Sequence, residues 1–401
     1  MKNSAEQLPP LLRIGFRPFF LGASLWALLS ILLWMCNLFG LSGHFIGGSE
    51  IPAFLWHGHE MVFGFVFAVT AGFLLTASAN WTGTNPASGL ALAFLVFCWM
   101  GGRIFFYTGN LSLAACSDLC ADFGVLIAVA RVILRARLWR NLMLLLLLAL
   151  PAFLNLYFYV IEISSIPFDP ALATEGSLGV FFIFILLIAG RIIPIFSSNA
   201  ISNLHIQPKP LLDRLSLLFG ALALLLWTFS AYTLSPFMAD LCRLIFGIAA
   251  ILHFWRFLNW KPWRAHQNGM IFALYLSYGW VIVSFFAMIL ESFALILRSM
   301  NIHFMGLGAI SMAIAAMICR VSRGHTGRPI VLGKIELLFF VMMTLAALLR
   351  LIASFPSFMA QQTLFISLLM GSASCFILGF AAFLFCYAPF LCTNRADGKK
   401  G

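Results

Sequence analysis

From residue 19 onward the chain alternates long apolar runs with short polar or basic breaks. A helix that crosses a bilayer needs about 20 such residues. The pattern predicts twelve: 19–41, 54–78, 88–107, 112–134, 142–161, 177–196, 212–233, 236–257, 269–293, 302–319, 331–353 and 362–391. Gly109-Asn110 and Ser235-Pro236 supply turns at the two tightest connections. Twelve spans leave no room for a separate soluble domain. The expected fold is therefore all-α and polytopic, a single transmembrane domain over residues 1–401. Composition agrees: 62% of residues are hydrophobic and 9% charged, where a soluble domain carries about a quarter charged. A water-soluble enzyme is excluded.

Charge then gives direction. The chain has 24 Lys and Arg against 13 Asp and Glu, a net charge of +11. The N-terminal segment, the even-numbered connections and the C-terminal tail together hold 20 of the 24 cations. Only Arg103, Arg243, Arg298 and Arg350 fall at the opposite span ends. Cytoplasmic loops concentrate Lys and Arg, so both termini are expected in the cytoplasm. The cations form no basic block interleaved with aromatics, so the lipid bilayer, and not nucleic acid, is the expected partner. Nine scattered cysteines give no disulfide framework. Residues 1–12 lack the marks of a cleaved signal peptide, so the first span reads as a retained anchor.

With that topology the eight histidines divide in two. His44, His57, His59 and His303 fall at outer span ends or in an outer loop; His205, His253, His266 and His325 fall on the inner side. The densest group is Trp56-His57-Gly58-His59-Glu60-Met61, opening the second span. Residues two apart on a helix diverge by about 200°, so His57 and His59 serve different neighbours. His59-x-Met61-x-x-Gly64 recurs 244 residues later as His303-x-Met305-x-x-Gly308, Thr82-Gly83 as Thr326-Gly327, and Pro18 as Pro262. Related first-four and last-four helix sets would produce this pattern.

Two imidazoles at equal depth on separate helices suit the axial positions of a haem b, which makes His59 and His303 the candidate pair. His57 is then available to a second haem or a copper. Gly64, Gly306 and Gly308 would let a macrocycle approach the backbone, and the 43 Phe residues would surround it. Each feature has a plainer alternative. The histidines are also read as interfacial groups bonding water and carbonyls. Arg103 is a propionate partner or an interfacial anchor, and Glu60 a catalytic proton carrier or a hydrogen-bond partner of histidine. Met61 and Met305 are thioether ligands or packing. Cys116 and Cys120, with Asp118 and Asp122 nearby, are a copper site, or else small core residues and buried polar contacts. Tyr275 and Tyr278 are expected to pack or bond locally.

Polar and glycine-rich segments cluster on the inner side. Arg13, Arg17, Arg191, His325 and Arg328 form either a polar site or a set of helix caps and headgroup anchors there. Five motifs run in order: RIGFRPFF at 13–20, WHGHEMVFGF at 56–65, AGFLLTASANWTG at 71–83, GRIIPIFSSNA at 190–200 and RVSRGHTGRP at 320–329. Together they closely resemble the NnrS family of bacterial inner-membrane proteins over nearly the whole chain. The resemblance implies a haem- and copper-containing protein linked to nitric oxide metabolism, denitrification and nitrosative stress. It brings no ligand assignment, although His57, His59, His303 and His325 stand within matching motifs. Family members often carry histidine where this chain has Tyr275. The expectation is a membrane haem protein that binds or turns over nitric oxide in the outer leaflet, as an oxidoreductase if a respiratory donor supplies electrons. The alternatives are a twelve-helix transporter of a small anion or metal–nitrosyl species, and a non-catalytic partner of a respiratory reductase.

Overall fold

The structure, a computed structural model, describes residues 8–38, 51–232 and 235–399. His44, Glu50, Lys2 and Lys400 lie outside the described residues. Among those described, 83% are helical and none forms a strand. Twelve helices are long and apolar enough to cross a membrane. They are α1 (Phe16–Leu38), α2 (Ala53–Thr82), α3 (Gly89–Tyr107), α4 (Leu111–Arg135), α5 (Trp139–Ser164) and α6 (Ala171–Ala200). The series continues with α7 (Pro210–Ser230), α8 (Pro236–Asn259), α9 (Gly269–Ser292), α10 (Arg298–His325), α11 (Lys334–Ala353) and α12 (Gln362–Cys392).

Every expected span has its helix, and the differences lie at the ends. The tenth span, expected to stop at 319, continues to His325. Helix persists there because Arg323 does not need open water: its Nε donates to the Tyr387 hydroxyl at 3.0 Å. The sixth begins six residues earlier than expected, at Ala171, where the Asp169 carboxylate accepts from the Ala171 amide at 2.9 Å. Local capping fixes other starts. Asn110 Oδ1 accepts from the Leu113 amide ahead of α4, and Asn268 Oδ1 from the amides of Met270 and Ile271 at α9.

The exterior is that of a protein solvated by hydrocarbon. Leu90 and Phe385 are 90% and 81% exposed, whereas Arg17, His59, Glu60, Arg103, Asp118 and Arg256 are buried. A water-soluble chain reverses this arrangement.

The chain divides into two compact units. One comprises residues 1–177, 318–330 and 380–401, hence α1–α5 with parts of α6, α10 and α12. The other comprises 178–317 and 331–379.

Two helices depart from α geometry at corresponding places. Glu60–Val66 in α2 and Phe304–Ile310 in α10 are π-helical, each beginning at the residue after a candidate histidine. Their starts are 244 residues apart, the interval at which the sequence motif recurs. The lower ends match too. Thr82 Oγ1 donates to the Ser78 carbonyl at 2.7 Å and Thr326 Oγ1 to the Ser322 carbonyl at 2.6 Å. Gly83 and Gly327 follow with φ of 68° and 73°, the left-handed conformation that glycine adopts without penalty.

Candidate functional site

The first unit buries a charged cluster among α2–α5. His59 and Glu60 come from the point where α2 turns π-helical, Arg103 from the end of α3. Asp118 and Asp122 are one turn apart on α4, and Asn155 and Tyr159 one turn apart on α5. His59 is 0% exposed. Its Nδ1 lies 3.0 Å from Glu60 Oε1 and its Nε2 3.0 Å from Asn155 Oδ1. Asn155 Nδ2 donates to Asp122 Oδ2 at 2.8 Å, which turns the amide oxygen toward the imidazole. Arg103 pairs with Asp118 and lies 3.4 Å from Glu60 Oε2, and the Tyr159 hydroxyl donates to Asp118 at 2.7 Å. Phe63, Phe106 and Phe158 pack on the His59 ring with centroids 4.4–5.0 Å away. Burial strengthens each of these interactions and makes the loss of any partner costly.

Glycines make the close approaches possible. A Cβ on Gly64 would stand 2.6 Å from an Arg103 guanidinium nitrogen, and one on Gly102 would overlap the Asp118 carboxylate. The π-helical stretch also leaves the Gly64 carbonyl to accept from Trp99 Nε1 at 3.0 Å.

His57 and His59 diverge as helix geometry requires. The His57 ring lies 4.9 Å from that of Trp34 on α1, on a different side of α2 from the charged cluster. Cys116 and Cys120 are exposed, while Asp118 and Asp122 of the same helix are buried. The α4 carboxylates are therefore engaged with Arg103 and Asn155 and do not join the cysteines. Among the described residues, no three His, Cys, Asp or Glu side chains form a metal-holding group.

In the second unit, His303 Nδ1 donates to the Ser299 carbonyl at 2.6 Å. That bond places a ring proton on Nδ1. Gly306 and Gly308 follow in the π-helical stretch, where a Cβ on Gly308 would press on the Trp280 indole at 2.9 Å. Two further polar networks in this unit, the first half-buried and the second buried, were not singled out as networks from sequence. Glu291 accepts from Trp227 Nε1, Asn301 Nδ2 and Arg298 at 2.8–3.0 Å, with Arg298 stacked 4.1 Å over Trp227. His253 Nδ1 lies 2.6 Å from the Tyr278 hydroxyl, which also accepts from Arg256, itself bonded to Asp213 at 2.8 Å. The signal available was ionisable residues inside apolar runs. Tyr275 bonds locally, its hydroxyl donating to the Trp260 carbonyl at 2.6 Å.

The inner-side candidates separate. Arg13, Arg17, His325 and Arg328 belong to the first unit and Arg191 to the second. Arg17 is buried and donates to the carbonyls of Leu391 and Thr393 at 2.8 and 2.7 Å, while His325 packs on Phe16 with ring centroids 5.5 Å apart.

Residues 10–395 match the family described as NnrS protein. The chain belongs to the NnrS family. Membership makes it a multi-pass membrane protein linked to the nitric oxide response. No curated protein matches the chain. NnrS proteins are associated with haem and copper, so the donors can be weighed against that chemistry. His303 suits an iron ligand, with its Nδ1 hydrogen-bonded to the backbone and glycines beside it. His59 does not suit one in this arrangement, because both ring nitrogens meet acceptors and iron would have to displace Glu60 or Asn155.

Proposed function

We propose that this NnrS family member is a membrane haem protein of nitric oxide metabolism, in which His303 supplies an iron ligand and the His59–Glu60 cluster handles protons. The observation that carries this reading is the contrast between two histidines in one recurring motif. His303 has its Nδ1 held by a carbonyl beside small residues. His59 is clamped among carboxyl and amide groups. The bound haem would supply a site for nitric oxide and a route for electrons. The protein supplies orientation through the Ser299 carbonyl. Three carboxyl groups (Glu60, Asp118 and Asp122) face one guanidinium, Arg103, so this buried cluster reaches neutrality by holding protons. Glu60, bonded to His59 and near Arg103, is the group placed to pass one on. His57, on the Trp34 side of α2, remains the candidate for a second centre, and no residue set is assigned to copper.

The purified protein should show a haem absorption band that shifts on addition of nitric oxide. His303→Ala should lose most of its haem, and His59→Gln should keep it while losing nitric oxide turnover. A preparation without the band, or His303→Ala with full haem content, rules the reading out. A second reading, transport of a small anion or metal–nitrosyl species, is favoured by the recurrence of π-helix, Thr–Ser bond and left-handed glycine at one interval. Flux of nitrite or a dinitrosyl-iron complex into haem-free liposomes containing folded protein would support it.

A further inference from the structure

One end of the first unit gathers guanidinium groups from three distant parts of the chain. Arg13 and Arg17 come from the N-terminal side, Arg323 and Arg328 from the end of α10 and the loop beyond, and Arg395 from the C-terminal tail. Hydrogen bonds lock the three segments together. Arg13 donates to Asn394 Oδ1 at 2.8 Å, Arg17 to Leu391 and Thr393, Arg395 to the His325 carbonyl at 3.1 Å, and the Ala396 amide to the Thr326 carbonyl at 2.9 Å. Arg17 thereby comes within electrostatic reach of Arg13, Arg328 and Arg395.

Negative charge does not follow. Residues 8–38, 78–88, 318–333 and 380–399 contain seven Lys and Arg and a single acid, Asp397. Arg395 already holds that carboxylate with two bonds of 2.9 and 2.7 Å, which keeps its pKa well below the usual carboxylate range. Arg13 also donates to the Leu8 carbonyl, Arg323 to the Tyr387 hydroxyl and the Pro329 carbonyl, and Arg328 to the Thr326 carbonyl. Aromatic faces lie beside them, with Arg328 3.9 Å over Phe390 and Arg323 5.9 Å over Tyr387. Biasing topology requires cations on one side of the membrane. It does not require that they converge, and Arg135 and Arg137, on exposed positions after α4, satisfy the same bias without doing so.

We propose that Arg13, Arg323 and Arg328, held in place by buried Arg17 and by the bonds of Arg395, form a binding site for the phosphate of an anionic phospholipid. The chemistry fits: guanidinium forks match phosphate oxygens, and the ends of apolar spans stand at headgroup depth. A soluble phosphate presents the same oxyanion, but the aromatic platform and the adjoining apolar helix surfaces favour a lipid. This site is independent of the haem reading.

The test is retention of phosphatidylglycerol, against phosphatidylcholine, by the full-length protein in native mass spectrometry. The double variant R323Q/R328Q is compared with R135Q/R137Q. A basic residue near an anionic headgroup contributes about fivefold in affinity, so the first pair should weaken phosphatidylglycerol binding about 25-fold. The control pair should leave it within a factor of two or so. Equal losses in the two pairs, or no preference for phosphatidylglycerol over phosphatidylcholine in the wild type, overturns the proposal. So does inorganic phosphate bound as tightly as the lipid, which would make the site one for a soluble anion. Should the double variant fail to fold, the wild type decides alone. Its phosphatidylglycerol must be released steeply by added salt, and salt-insensitive retention refutes an ionic site.

Discussion

At the scale of single residues, the charged cluster is where the molecule is most easily broken. Arg103 has Asp118 and Glu60 as its partners, and all three are buried. Removing one member of a buried pair strands the other charge, at a cost of about 3–5 kcal/mol. Arg103→Leu and Asp118→Leu should each lower the thermal stability of the detergent-purified protein sharply. The double variant R103L/D118L should cost clearly less than the sum of the two, because no charge of that pair is left alone. Additive losses in a thermal-shift series would show that the pair is not a unit. Part of this cluster is legible in the chain, since His59, Glu60, Arg103, Asp118 and Asp122 are ionisable groups within apolar runs. Asn155 and Tyr159 are less visible. An amide and a phenol carry no formal charge, and only helix packing brings α5 against α2 and α4. Sequence reading left the two aspartates either in a copper site with Cys116 and Cys120 or in buried polar contacts. The structure turns them inward while the cysteines face out, because a carboxyl in hydrocarbon seeks a cation or a donor and a thiol does not.

At the scale of elements, hydropathy located all twelve helices, since length and apolarity are what crossing a bilayer demands. It could not locate their ends, where arginines bond to phenols and carbonyls and let the helix run on. Nor could it reveal the π-helical stretches. One additional residue in a helix leaves no hydropathy trace, and only the motif recurring at 244 residues marked the place. A π-helical stretch amounts to one residue inserted into an α-helix. Deleting Val62 should therefore return α2 to regular geometry with both halves keeping their faces, losing mainly the Trp99–Gly64 bond. Deleting Ala71, in regular α-helix, turns one half against the other by about 100° and should abolish folding. Comparable yields of folded protein from the two deletions would contradict this account of α2.

At the scale of the whole molecule, the distribution of cations gives a direct prediction. Reporter domains fused after residue 401 should be active only in a cytoplasm-dependent form. Reporters placed in the α5–α6 connection near Asp169 should be active only outside, and the reverse result would invert the topology. Among the described residues the helices fall into two compact units, with α6, α10 and α12 each contributing to both. Hydropathy carries no information about which helices touch, so this division was not legible.

That sharing bears on how the protein is made. The first unit draws on residues 318–330 and on 380–401, the latter made last, and Arg17 is anchored on the carbonyls of Leu391 and Thr393. The early helices must therefore wait in the bilayer, with Arg17 lacking those two acceptors, until translation is almost complete. Chains that terminate before Leu391 would lack both of those acceptors for Arg17, a defect that membrane quality-control proteases can recognise. Completion of the tail thus doubles as a checkpoint on synthesis.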